Sequence, residues 1–387
     1  MTSFRLECGA CAHTSDPTPL ATLCPDCGSP QLVRYSIVED GANSELREVW
    51  AARSDRMWRF RELLPVLPGE APVSLGEGGT PLIRLEKAGE ALSLSLLLKD
   101  EGGNPTGSFK DRGLSVAVTR AVHDGASSFV LPSAGNAGVA LAAYAARAGV
   151  TATIFMPEDT PTAVFERCRV YGADVVAVAG LISDCGIRAA THAEETGAFD
   201  MATLREPYRI EGKKTMGLEI LADLGWRAPD AIIYPAGGGT GLIGTWKAIQ
   251  EARALHMIER PMTRMYVVQA AGCAPIVRAW ESGADKAEAW LNADTEAWGL
   301  RVPTARGDAL MLRVLRESNG GAVAVEDKEM RTAASNLAAS DGLAIGIEGG
   351  ATMAAAAALR DRGDLASGET VVLFNTGNLT NYGWYTG

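Results

Sequence analysis

From Ser128 onward the chain alternates short apolar runs with amphipathic stretches, and no other feature constrains its fold as tightly. SSFVLP, TATIFMP, DVVAVAG, AIIYPA, MYVVQA and TVVLFN have the length of strands and are almost wholly apolar. Between them, helical spacing predicts helices over about 136–148, 162–171 and 183–196, from Gly241 and near Pro275. Buried strands separated by helices read as βαβ units and parallel sheets, an α/β fold. Loops that bind ligands then belong at the carboxyl ends of the strands. A chain of 387 residues has room for two such domains and something smaller. Helical segments are expected within 45–64, and ATMAAAAALR reads as a buried helix. The stretch 281–306 is the least regular, a surface excursion or a substrate-side loop.

Lys and Arg number 36 against 47 Asp and Glu, a net charge of −11. That balance argues against nucleic acid or an anionic membrane as partner. Apolar runs fall short of the ~20 residues of a membrane span, and MTSFRLECGA has no apolar core of a signal peptide. The expectation is a cytoplasmic enzyme. Its four histidines, His13, His123, His192 and His256, form no metal or triad motif, which disfavours histidine-dependent hydrolysis.

Four of the seven cysteines lie near one end as Cys8-x2-Cys11 and Cys24-x2-Cys27. Each pair can bring two thiolates to one metal from a tight turn, and two such turns make the tetrahedral sulfur set that Zn²⁺ favours. Four cysteines leave no open position, so the zinc should be structural. His13 is not needed as a ligand. Cys168, Cys185 and Cys273 have no partner spacing and read as ordinary thiols.

Three loops carry the chemistry. The run Gly102 to Gly113, GGNPTGSFKDRG, brings Lys110 to the start of a helix near Ser108. The positive helix end disfavours the ammonium form, and a less protonated lysine is what Schiff-base chemistry requires. Taken alone, such a lysine is more often a surface residue. The turn Ser133-Ala134-Gly135-Asn136-Ala137-Gly138 joins a strand to a helix. Its N–H groups could hold a carboxylate, or it is a plain turn capped by Asn136. The third loop, PAGGGTGLIG, sets Gly237, Gly238, Gly239, Thr240 and Gly241 at a helix start as a phosphate cradle. It contains a GxGxxG, but a dinucleotide site wants an acidic residue ending the next strand, which here ends in Gln269 and two alanines. A single phosphate is the better reading.

With the terminal Asn375-Thr376-Gly377-Asn378, these loops resemble the threonine synthase family, pyridoxal 5′-phosphate (PLP) enzymes of fold type II, tryptophan synthase β-like. The resemblance covers nearly the whole chain: the cysteine ribbon, NPTGSFKDRG, SAGNAGVALAAYAARAG, EPYRIEGKKT and GGGTG. It implies a zinc ribbon at 1–34, a large PLP-binding domain from 35–114 and 208–387, and a small α/β domain at 115–207. It further implies that Lys110 carries PLP covalently and then acts as the acid–base group. Asn136 would bond the cofactor's phenolic oxygen, and Gly237, Gly238, Gly239, Thr240 and Gly241 would hold its phosphate. Thr376 would place its hydroxyl on the pyridine nitrogen. Ser133, Ala134, Gly135, Asn136 and Ala137 would grip the carboxylate of an amino-acid substrate. A homodimer is implied as well.

The reaction implied is conversion of O-phospho-L-homoserine and water to L-threonine and phosphate. Family donors to the substrate phosphate correspond here to Leu181, Ile187 and Glu206, and a glutamate beside a phosphate repels it. Arg112, Arg205, Arg209, Lys213 and Lys214 offer replacement charge, or are surface and ion-pair residues. After Thr376 the chain reads GNLTN where the family commonly has GxGLK. The alternative is a PLP-dependent β-elimination or β-replacement on serine, threonine or a modified amino acid. A non-enzymatic binding module on the same fold is disfavoured by the intact Lys110, Asn136 and Thr376.

Overall fold

A computed structural model describes residues 3–39, 45–54, 56–259 and 263–382. The first strands, β1 (Phe4–Cys8), β2 (Thr14–Ser15) and β3 (Gln31–Tyr35), pair antiparallel in the order β2-β1-β3. The helical expectation for 45–64 resolves into a short helix, Leu46–Ala51, and a 3-10 segment, Met57–Leu63.

Contact density divides the chain into two compact units, residues 1–79, 104–215 and 381–387 in the first and 80–103 and 216–380 in the second. Sequence boundaries put 35–79, 104–114, 208–215 and 381–382 with the larger domain; the structure groups them with the four-stranded sheet. The reason is packing. The helix Lys110–His123 lies along Asn136–Ala148, and both are buried over most of their length. It also crosses the start of Arg209–Asp223 closely: a Cβ on Gly113 would stand 2.7 Å from the Arg209 side chain, and one on Gly212 would overlap the Arg112 carbonyl.

The first unit's sheet holds β6 (Ser128–Pro132), β7 (Thr151–Pro157), β8 (Asp174–Val178) and β9 (Phe199–Asp200), all parallel in the order β8-β7-β6-β9. Val130, Phe155 and Val178 pack beneath Cys185 and Ala189 of the helix Ile182–Thr196. The second unit's sheet runs β12-β11-β10-β13-β5-β4, from β4 (Leu82–Arg84), β5 (Ser95–Asp100), β10 (Ala231–Pro235), β11 (Arg264–Ala270), β12 (Gly321–Val325) and β13 (Thr370–Asn375). Only the β4–β5 pair is antiparallel among these described strands. The alanine-rich segment forms the helix Ile347–Asp361, whose Ala351, Ala355 and Leu359 join Leu98, Ile233, Val268 and Leu373 in one core. Small side chains let that helix sit close to the sheet. No helix among the described residues is long and apolar enough to cross a membrane.

Candidate active site

In the first unit, the lysine loop is built by its own side chains. Gly107 N–H donates to the Asn104 carbonyl (2.7 Å), and the Gly78 N–H donates to Asn104 Oδ1 (3.0 Å). Thr106 donates both its N–H and its hydroxyl to the Asp111 carboxylate, in the first turn of the helix that begins at Lys110. Asp111 is fully buried, and burial pushes its carboxyl up to about 7 against the pull of those bonds. Lys110 is therefore the first residue of a helix whose entry is fixed from both sides.

The Phe109 ring lies 4.7 Å from Lys110 Nζ and 4.0 Å from Nζ of the buried Lys213. Phe109 thus contacts two cations. One turn farther along, Ser115 Oγ donates to Glu77, a wholly buried carboxylate that also accepts from Trp58 Nε1 (2.8 Å), Tyr144 (2.7 Å) and the Leu75 N–H (2.9 Å). This pins the lysine helix to the segment before it. A lone Glu in a glycine-rich run gave no such signal in the sequence.

The 133–138 turn follows β6 and opens the helix Asn136–Ala148, which has no side-chain cap. Ser133 Oγ serves the turn itself, taking the N–H of Gly138 (2.9 Å) and of Gly135 (3.3 Å). Asn136 Oδ1 is buried and has no hydrogen-bond partner among the described residues. A buried amide oxygen without a partner is costly, unless a ligand supplies one. An amide offers donor or acceptor by a half-turn of its last bond, so Asn136 suits a bound oxygen.

In the second unit, β10 and β13 are neighbours, with Ile233 opposite Leu373. Their carboxyl ends set the glycine loop and Thr376 along one edge of the sheet. Gly239 has φ +79, in the left-handed region that favours glycine, and it precedes the helix Thr240–Ala254, again without a side-chain cap. A Cβ on Gly239 would overlap Met311, one on Gly241 the Tyr234 phenol, and one on Gly237 would come 2.5 Å from the Gly299 carbonyl. Gly238 is half-buried and Thr240 buried. A fifteen-residue helix led by closely packed glycines thus begins without a side-chain cap on its first backbone N–H groups, a start that can take an anion.

Gln269 donates to the Ala236 carbonyl (3.0 Å) and accepts from the N–H groups of Ile276 and Val277. It braces the loop at the place where a dinucleotide site would want a carboxylate. Thr376 is buried, and the preceding Asn375 is held by Asp100 (2.8 Å). The irregular 281–306 stretch, without helix or strand after Glu281, packs Gly299 and Val302 against Gly237, so part of it supports the glycine loop.

The four cysteine sulfurs of Cys8, Cys11, Cys24 and Cys27 lie within 4.8 Å of one another, with neighbours at 3.4, 3.5 and 3.6 Å. Four thiolates on a tetrahedral zinc stand ~3.8 Å apart, so the set fits that ion. His13 Nδ1 instead faces Asp26 at 2.6 Å. Cys168, Cys185 and Cys273 are buried, and burial raises all three thiols.

Of the replacement charges, Lys213 lies over the Phe109 ring beside Lys110, and the others have partners of their own. Glu206 accepts from the N–H groups of Tyr208 (2.7 Å) and Arg209 (2.9 Å) and pairs with the Arg209 guanidinium (3.2 Å). Arg205 pairs with Asp200, Lys214 with Glu211, and Arg112 donates to Thr215. Leu181 and Ile187 are 59% and 68% exposed.

Residues 73–377 match the family described as pyridoxal-phosphate dependent enzyme. The threonine synthase of Methanosarcina acetivorans is 34% identical over 379 residues, 97% of this chain and 92% of that one. That of Methanocaldococcus jannaschii is 32% identical over 374 residues, covering 96% and 91%. Among solved structures, the processed threonine deaminase isoform 2 of Solanum lycopersicum superposes with a TM-score of 0.67, covering 77% of this chain and 83% of its own at 23% identity. That likeness shows the fold, the type-II architecture expected from the sequence. Cofactor family, fold and relatives agree, and the chain belongs to the pyridoxal-phosphate-dependent enzymes, among the threonine synthases.

Proposed function

We propose that this chain converts O-phospho-L-homoserine and water to L-threonine and phosphate. The observation that carries the reading is the likeness to threonine synthases along 97% of the chain, with Lys110 opening a helix whose positive end disfavours the ammonium form. The fit of the residues to PLP supports it: a buried Asn136 oxygen lacking a partner, and an uncapped glycine-led helix start beside Thr376.

PLP, when bound, supplies an electron sink for a carbanion at the substrate's Cα. Lys110 would hold the cofactor and, once released, move protons at Cα and Cβ. Asn136 would orient the ring through its phenolic oxygen. Gly237, Gly238, Gly239, Thr240 and Gly241 would anchor its phosphate through backbone N–H groups. Thr376 would meet the ring nitrogen with a hydroxyl, which does not force a proton onto it as a carboxylate would. The 133–137 turn would hold the substrate carboxylate, with Asn136 and Ala137 N–H as donors and Ser133 shaping the turn. We extend the proposal to a structural zinc on the four cysteines, a homodimer and a cytoplasmic location.

A second reading has its own support. Leu181 and Ile187 are exposed apolar groups and Glu206 is committed to Arg209, so none of the three donates to a phosphate dianion. That favours β-elimination or β-replacement on an amino acid without a phosphate. Product analysis of the holoenzyme with O-phosphohomoserine, L-threonine, L-serine and O-phosphoserine separates the two. Threonine from phosphohomoserine supports the first reading, and a 2-oxo acid from threonine or serine alone supports the second.

A further inference from the structure

The Asn136 N–H is the first of the 133–137 turn's helix, and a hydroxyl already faces it. Tyr382 presents its phenol oxygen to that N–H at 3.4 Å. Its ring lies over Gly135, where any Cβ would overlap the phenol. Sequence reading gave Tyr382 no role, because 246 residues separate it from Asn136.

The residue before it is firmly anchored. Asn381 is 4% exposed, and its Nδ2 donates to the Gly107 carbonyl at 2.8 Å. The Arg167 guanidinium donates to the Asn381 carbonyl (3.3 Å) and to that of Thr106. These bonds staple Asn381 to the loop that delivers Lys110, and hold Tyr382 against the other end of the same substrate region. Ser133 directs its oxygen inward to Gly135 and Gly138, so it is Tyr382 that brings a hydroxyl to the Asn136 end.

We propose that Tyr382 is a substrate-positioning residue, whose hydroxyl donates to the α-carboxylate of the amino acid and selects for ligands that carry one. The inference rests on the reading of residues 133–137 as the carboxylate turn. A carboxylate has two oxygens, and helix-terminal N–H groups approach it from one side. A phenol held at that turn supplies an O–H without further ordering of the chain, the condition under which a charge-assisted bond contributes most.

The test uses the PLP-loaded enzyme with L-threonine and with 1-amino-2-propanol, which is threonine without its carboxylate. Binding is read by calorimetry and by the absorption of the bound cofactor, and a thermal melt checks the fold. Tyr382→Phe keeps the ring over Gly135 and removes the hydroxyl. Loss of a hydrogen bond to a charged group should weaken threonine binding about tenfold or more and leave 1-amino-2-propanol unchanged. With substrate, KM should rise more than kcat falls. An equal affinity for threonine in parent and variant overturns the proposal. So does tighter binding by the variant, which would make the hydroxyl a stand-in that the carboxylate displaces. If the parent itself does not distinguish the two ligands, the carboxylate-turn reading fails and takes this proposal with it.

Discussion

Glu206 and Arg209 form a fully buried ion pair at 3.2 Å, and the same carboxylate caps the N–H groups at the start of the Arg209–Asp223 helix. Burial disfavours both charges, pushing the Glu206 carboxyl up and the Arg209 guanidinium down. Three donors on one carboxylate compensate. The charge is thereby neutralised within its own helix, which removes the repulsion that its sequence position suggested for a substrate phosphate.

Glu206→Ala should therefore unfold the chain more easily, by about 3–5 kcal/mol, because it strands a buried guanidinium. Glu206→Gln, which keeps an acceptor, should cost less. Denaturant melts of the two variants check this. A melt of Glu206→Ala equal to the parent's would refute the structural role.

Asp111 gives the lysine loop a pH dependence of unusual sign. Its carboxyl is raised to about 7 in the folded chain by burial, above the ordinary value of 3.8. Between those values the folded chain keeps a proton that the unfolded chain has lost. This contribution to stability is full below about pH 4 and is lost as pH rises through about 7. The slope is on the order of 1 kcal/mol per pH unit in that window. Asp111→Asn should flatten the stability profile there. An unchanged slope between pH 5 and 7 would contradict the assignment.

How much of this was legible in the sequence depended on range. The helix at 136–148 and the strand at 151–157 stand where local apolar patterns put them, and the alanine-rich run 351–360 lies within the longer helix Ile347–Asp361. The strands Ser95–Asp100 and Gly321–Val325 escaped: SLLLKD runs straight into the lysine loop, and GAVAV is short and small. The long-range partnerships of Glu77 and Tyr382 had no local signature, since a buried charge or phenol is defined by residues distant in the chain. Lys110 and the glycine loop were visible because backbone turns at ligands demand particular residues in sequence.

Gly239 sits at φ +79 with Met311 against it, so Gly239→Ala should strain the backbone by about 1–3 kcal/mol. If the loop holds the cofactor's phosphate, PLP affinity should fall at least tenfold, while Gly125→Ala, at φ +96 with open space around it, strains the backbone likewise and leaves the affinity alone. Equilibrium titration of the apo-protein with PLP measures both. Equal affinities would remove the loop from the cofactor site.

One zinc per chain is expected by elemental analysis, and Cys24→Ser should lower that occupancy. Tyr35 of β3 donates to Glu211 at 2.8 Å, so a loosened ribbon should also lower the melting temperature by several degrees. The cofactor's absorption should persist. Undiminished zinc in the variant would rule out the four-sulfur site.

The most direct test is a stoichiometric one: holoenzyme with O-phospho-L-homoserine, phosphate and L-threonine quantified together, alongside Lys110→Ala. The account predicts threonine and phosphate released one for one by the parent, and neither by the variant. A parent with an intact cofactor band that releases no phosphate, or releases it without threonine, would contradict it.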